Sequence, residues 1–183
     1  MTSAIDKIDN TDVRAWYQEN ISSLFDVFLE NAKEKGYVMD RKSGLFIKPG
    51  FSSEIQERLG HTSIYIIFPR PTDLHYHEDV DEAIHVIDGT GMFYTQFEKS
   101  EREECIFSGR EILVPQRRAH SFMPNLGEFL EMRIECSGLH DPKKEKLVVP
   151  FYEFRPWIEY YERIKNGNNG LSNGHFPKNH KSR

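Results

Sequence analysis

Near the amino terminus, apolar residues recur at three- and four-residue steps: Val13, Trp16, Tyr17, Ile21, Leu24, Phe28 and Ala32 fall on one stripe. The spacing predicts one amphipathic helix, with Thr11 as its N-cap and Gly36 as its stop, packed through that stripe on the rest of the protein. Beyond Tyr37 the period shortens. Runs rich in Ile, Val, Phe and Tyr, punctuated by Gly, Pro and Asp, predict strands at "GLFIKP", "TSIYIIF", "DLHYH", "EAIHVID", "GMFYTQF", "ECIF", "EILVP", "AHSFM" and "FLEMRIEC". "SSEIQERLG", between the first two, reads as a short helical connection. Many short strands without intervening helices specify an all-β sandwich or barrel. After "KLVVPFYEF", the stretch "RPWIEYYERIKNG" predicts a closing helix, with Pro156 suited to its first turn and Gly167 to its C-cap. The polar, Gly/Asn-rich remainder is expected to be a mobile tail with solvated histidines.

Composition narrows the picture. A chain of 183 residues has the size of one domain, and no internal repeat is evident, so one barrel is favoured over two. The formal net charge of −5 argues against a general nucleic-acid or membrane-surface binder. No apolar run follows basic residues near the start, and no segment approaches a membrane span, so a soluble, cytoplasmic protein is expected. Cys105 and Cys136 are too few for a disulfide framework and lack the paired spacing of a zinc site. Both are expected to be reduced, buried thiols.

The chemistry concentrates in "DLHYHEDVDEAIHVIDGTG". Residues two apart on a strand face the same way, so His75 and His77 project side by side. A single histidine on an interior face is usually a satisfied core residue, whereas a His-x-His pair is as readily a metal site. Glu82 has the wrong parity to join them on a straight strand. The acidic "EDVD" is suited to a turn, after which Glu82 opens the next strand facing inward with Ile84 and Val86. "DGTG" then supplies a hairpin turn into "MFYTQF". His85 has the opposite parity and stays outside the site. His61 and His140 show no partner pattern, so solvated or turn positions are expected for both.

A second patch, "GREILVPQRRAHSFMPN", completes a resemblance to the cupin superfamily, whose motifs are G-x5-H-x-H-x3,4-E-x6-G and G-x5-P-x-G-x2-H-x3-N. The first is matched at His75, His77, Glu82 and Gly89, and the second at Gly109, Pro115 and His120. The resemblance covers about residues 60 to 137. It implies an all-β fold built on a single jelly-roll barrel and says nothing about either terminal helix; joined to the periodicity above, the expected organisation is an N-terminal helical segment, 1–36, packed on a barrel over 37–152, a short C-terminal helix at 153–167 and the tail at 168–183. The resemblance further implies that His75, His77, Glu82 and His120 converge on one divalent metal ion. Fe(II) is favoured, with Mn, Ni, Co or Zn compatible with the same donors. Three motif positions depart from the pattern: Pro69 and Arg117 replace glycines, and Pro124 stands in the asparagine position, one residue before Asn125. Arg117 implies a local backbone different from that of the glycine it replaces. It is either a surface residue or an anion-binding group at the barrel mouth.

"FLEMRIEC" alternates strictly, and its parity cannot be phased from sequence. If the charged face lines the cavity, Arg133 binds an anionic substrate and Glu131 acts as a base or supports a metal ligand; otherwise both belong to a solvent face. Tyr65, Met92, Tyr94 and Phe122 are candidate lining, Phe122 most of all because it shares the parity of His120, although core filling is the commoner role for any one of them. The leading functional expectation is an Fe(II) dioxygenase acting on a small polar or anionic metabolite. "DEAIHVIDGTGMF" and "ILVPQRRAHSF" are similar to acireductone dioxygenases, although Ile84 stands where those enzymes carry an arginine. "VPQRRAHSFMPNLGEFL" is similar to cupin-type phosphoglucose isomerases, which implies instead a sugar or sugar-phosphate isomerase, with Arg117 or Arg133 on the phosphate. A ligand-binding cupin without turnover is the third reading. The resemblance also implies a homodimer, for which the first helix and exposed strand edges offer surface.

Overall fold

The computed structural model describes residues 3–141 and 144–166. A short 3-10 helix (Ala4–Lys7) precedes α1 (Thr11–Asn20) and α2 (Ser22–Glu34). The predicted single helix is therefore two. Ile21 leaves helical geometry at φ −139°, ψ 22°, and both segments then lay buried residues, Val13 and Tyr17 from α1, Phe25 and Ala32 from α2, into one cluster. The N-cap is Asn10 rather than Thr11: its Oδ1 accepts from the backbone N–H groups of Asp12 and Val13.

The strands are β1 (Val38–Met39), β2 (Phe46–Pro49), β3 (Thr62–Phe68), β4 (Leu74–His77), β5 (Glu82–Asp88), β6 (Thr90–Phe97), β7 (Ser100–Phe107), β8 (Glu111–Val114), β9 (Ala119–Pro124), β10 (Leu130–Cys136) and β11 (Glu145–Val149). They form two antiparallel sheets, of order β1-β2-β3-β10-β5-β8 and β11-β4-β9-β6-β7. α3 (Ser53–Leu59) is the expected helical connection, capped by Ser52 and closed by left-handed Gly60. α4 (Arg155–Lys165) is the closing helix, with Pro156 in its first turn. The proposed cap Gly167 and the tail 168–183 lie outside the described residues. Among the described residues, no helix is long and apolar enough to cross a membrane.

The sequence places a hairpin at "DGTG", but β5 and β6 belong to different sheets. Gly89 is a corner. At φ 92° it occupies the left-handed region, and a Cβ there would meet the Phe129 carbonyl oxygen at 2.0 Å. The tight connection comes later, where β6 and β7 pair from Phe97↔Ser100 back to Thr90↔Phe107.

Two apolar clusters divide the molecule. One fills the space between the sheets: Ile66, Phe68, Ile84, Val86, Phe93, Phe122, Leu130, Met132 and Ile134 alternate inward. The other lies outside the sheets, where Tyr17, Phe25, Phe46, Ile67, Met92, Tyr94, Met123, Phe154 and Trp157 join the helices to the barrel. The helical stripe thus packs largely within the chain, with Trp16 and Phe28 partly buried and Leu24 exposed. Cys136 is buried, but Cys105 is exposed, against the expectation of two buried thiols.

Candidate metal centre

The inner faces of β4, β5 and β9 bring the imidazoles and the carboxylate together. His75 and His120 are directly opposed across β4 and β9, and their ring centroids lie 4.4 Å apart. The His77 ring is 5.2 Å from that of His75 and 5.7 Å from that of His120. Glu82 enters from the other sheet, Oε1 3.3 Å from Nε2 of His77 and Oε2 3.0 Å from Nε2 of His120. The turn between β4 and β5 supplies the parity change, so Glu82, Ile84 and Val86 point inward while His85 is exposed beside Glu111. Gly109, at φ 86°, and Pro115 flank β8, which leads into the strand of His120.

Two imidazoles are oriented by backbone. His75 Nδ1 lies 2.9 Å from the Asp73 carbonyl oxygen, and His120 Nδ1 3.1 Å from that of Arg118. A carbonyl only accepts, so each Nδ1 carries the proton and each Nε2 presents its lone pair. Burial, reinforced by the charge of His120, lowers the pKa of His75, and burial lowers that of His77 to about 4 against the pull of Glu82. For Glu82, burial opposes ionisation, but His120, His77 and His75 outweigh it and hold the carboxyl at about 2. Burial likewise opposes protonation of His120, and Glu82 reverses the sign, raising its pKa.

The donor set fits a divalent cation. Nε2 of His77, Nε2 of His120 and Oε2 of Glu82 are buried without a hydrogen-bond partner among the described residues. Nε2 of His120 and Oε2 of Glu82 lie 3.0 Å apart, and with the imidazole proton on Nδ1 both atoms are acceptors. Buried acceptors left in that state cost about 1–3 kcal/mol each, which a shared cation would offset. One coordinating atom from each of His75, His77 and His120 lies within 4.8 Å of the others.

The donors line a cavity of about 220 Å³ whose remaining wall includes Leu45, Ile64, Ile66, Phe68, Phe122 and Ile134. Phe122 is therefore where the sequence places it. The other candidates are elsewhere. Leu130, Met132, Ile134 and Cys136 form the inner face of β10, which puts Glu131 and Arg133 on the outside. There Glu131 accepts from Lys35 Nζ and Tyr37 Oη, and Arg133 pairs with Glu135 and lies over the Tyr65 ring. Tyr94 and Met92 occupy the outer face of β6, Tyr94 edge-on to Phe154 and Trp157. Arg117 does not line the cavity; its backbone N–H donates to the His77 carbonyl at 2.6 Å. Its φ of 63° retains the left-handed turn that the motif's glycine serves, so the residue differs and the backbone does not.

Sequence reasoning missed Arg70, Cys136, His140 and Glu145, all of which line the cavity. Arg70 is buried with its guanidinium turned outward, donating to the carbonyls of Ser43 and Pro71 and lying over the Phe151 ring. His140 depends on the loop after β10 folding back, where its N–H donates to Thr62 Oγ1 at 2.8 Å. Glu145 depends on β11, whose "EKLVV" pairs with the histidine strand. Recognising that strand would have revealed Glu145; no local pattern reveals His140.

No protein-family model and no curated protein matches the sequence. Solved structures do resemble it. A cupin-like protein from Thermotoga maritima superposes with a TM-score of 0.51 at 15% identity, over 63% of this chain and 83% of that one. Peruvianin-I, a cysteine peptidase from Thevetia peruviana latex, gives 0.50 at 10% identity, over 58% and 68%. The nucleoside dehydratase Pac13 gives 0.48 at 18% identity, over 63% and 88%. Identities this low speak to architecture alone, and the architecture agrees with the sheet order and the two motifs: the chain is built on the cupin fold, a jelly-roll barrel dressed with helices.

Proposed function

We propose that this protein is a metal-dependent enzyme acting on a small molecule, with one divalent ion held by His75, His77, Glu82 and His120, and that its reaction is an Fe(II)-dependent dioxygenation. The observation that carries the reading is the convergence of these side chains on one partly open, mostly apolar cavity, with Nε2 of His77, Nε2 of His120 and Oε2 of Glu82 buried and unpartnered among the described residues. A bound iron supplies Lewis acidity and one-electron chemistry with dioxygen. The chain's own residues supply the rest. His75 and His120 are held in a fixed tautomer by backbone carbonyls, and Ile64, Phe68 and Phe122 give the metal-facing space an apolar wall.

The cavity, at about 220 Å³, is smaller than the roughly 300–1,000 Å³ clefts that take drug-sized ligands. It fits a compact substrate with one polar, metal-directed end against an apolar wall. Isomerisation of a sugar phosphate fits less well, because Glu131, Arg133 and Arg117, the base and the phosphate-binding arginines that reading requires, lie outside the cavity. Oxygen uptake by anaerobically purified, iron-loaded protein, screened against small hydroxy-carbonyl, enediol and catechol compounds, tests the proposal. Substrate-dependent uptake that disappears in His77→Ala is expected; turnover that proceeds equally under argon would overturn the oxidative assignment.

A further inference from the structure

A second group of donors stands at the mouth of the same cavity. β11 and β4 pair Glu145 with His77, so the two side chains leave the sheet on one face. The loop after β10 brings His140 over them, its ring 5.0 Å from that of His77 and edge-on to it. Nε2 of His140 and Oε2 of Glu145 are 3.7 Å apart, beyond a hydrogen bond but suited to a shared ion. One coordinating atom from each of His77, His140 and Glu145 lies within 4.8 Å of the others.

We propose that His77, His140 and Glu145 form an outer position for a divalent metal ion, through which the ion reaches the inner donors; the second clause rests on the metal-site reading above. His77 is common to both groups and is the one imidazole suited to sharing. His75 and His120 each commit Nδ1 to a carbonyl, whereas His77 makes no such bond to backbone and its buried Nε2 has no hydrogen-bond partner among the described residues. Exposure orders the two positions. The side chains of His140 and Glu145 are 21% and 40% exposed, against 1% for His120 and 7% for Glu82. An ion arriving from solvent meets the outer donors first. It can move inward by exchanging His140 and Glu145 for His75, His120 and Glu82 while it stays on His77, so no fully undressed cation enters the barrel. Two imidazoles and one carboxylate suit a first-row divalent ion rather than calcium or magnesium.

Cobalt(II) is the probe, added to metal-free full-length protein, with circular dichroism to verify that each variant is folded. In H75A/H120A, which lacks the inner site, one Co(II) per chain is expected to remain, bound about 100-fold more weakly than in the wild type and released when His140→Ala is added. In H140A/E145Q the final stoichiometry and affinity should match the wild type, while stopped-flow uptake slows about tenfold or more. The uptake rate decides the matter if H75A/H120A does not fold. One Co(II) in the wild type, with none in H75A/H120A and unchanged uptake in H140A/E145Q, would overturn the outer position and leave the inner site standing. No Co(II) in the wild type would overturn both.

Discussion

Glu82 and Glu131 sit on adjacent strands of one sheet and are buried alike, 5% and 6% exposed, yet their surroundings are opposite. Glu131 faces outward, under the N-terminal helices, where Lys35 and Tyr37 donate to its two oxygens. Glu82 faces inward, where it meets three imidazoles and its Oε2 finds no hydrogen bond among the described residues. Glu131 fastens an outer layer to the barrel and has no unmet valence. Glu82 is held in an arrangement that folding alone does not favour. Burial therefore does not separate the two carboxylates; hydrogen-bond satisfaction does.

The largest effect expected from this contrast is at Glu82. Glu82→Gln should lower metal affinity about 100-fold in chelator competition, while metal-free stability holds or rises because a buried carboxylate is gone. Glu131→Ala should do the reverse. It strands Tyr37 and a Lys35 that is 38% exposed, so about 2–3 kcal/mol of stability should be lost in urea unfolding with metal affinity unchanged. Equal loss of metal in both variants would end the distinction between the two carboxylates.

Arg117 probes the site from behind. Its left-handed backbone costs about 1–2 kcal/mol relative to glycine, partly offset by the roughly 0.4–1 kcal/mol that glycine loses through the unfolded chain. Arg117→Gly should thus gain about 0.5 kcal/mol in denaturant melts and leave metal binding intact. A loss of metal would instead place the arginine side chain at the site. The smallest effect concerns the thiols. Burial, and then Glu82 opposite it, push Cys136 up to about 12, whereas Cys105 is exposed. A thiol reagent at pH 8 should therefore modify Cys105 alone until the protein unfolds. Rapid reaction of Cys136 in the native state would mean that its thiol can be reached through the cavity.

Much of this was legible in the sequence, for a physical reason. The strand of Glu82 alternates buried and exposed with period two, and the turn of acidic residues before it resets the parity from His75 and His77, so inward and outward positions follow there once one ligand is assigned. "FLEMRIEC" alternates as clearly, but both of its faces are buried in part, one by the barrel interior and the other by Lys35, Tyr37 and Tyr65. Its pattern fixes two faces without saying which is inside. Tyr94 and Met92 misled for the same reason: an outer layer of helices makes the outside of β6 as apolar as the inside. The hairpin expected at "DGTG" failed because turn chemistry specifies a change of direction, not the sheet in which the next strand lands. His140 reaches the cavity only through a loop held to Thr62, a contact between residues 78 positions apart.

The central claim is that His75, His77, Glu82 and His120 hold a metal inside the barrel. Elemental analysis of anaerobically purified protein beside His120→Ala addresses it most directly. The account predicts close to one equivalent of a first-row divalent metal, iron foremost, in the wild type and a small fraction of that in a variant that remains folded. Equal metal in the two proteins, or none in the wild type after reconstitution with Fe(II), Mn(II), Co(II), Ni(II) and Zn(II) in turn, would contradict it.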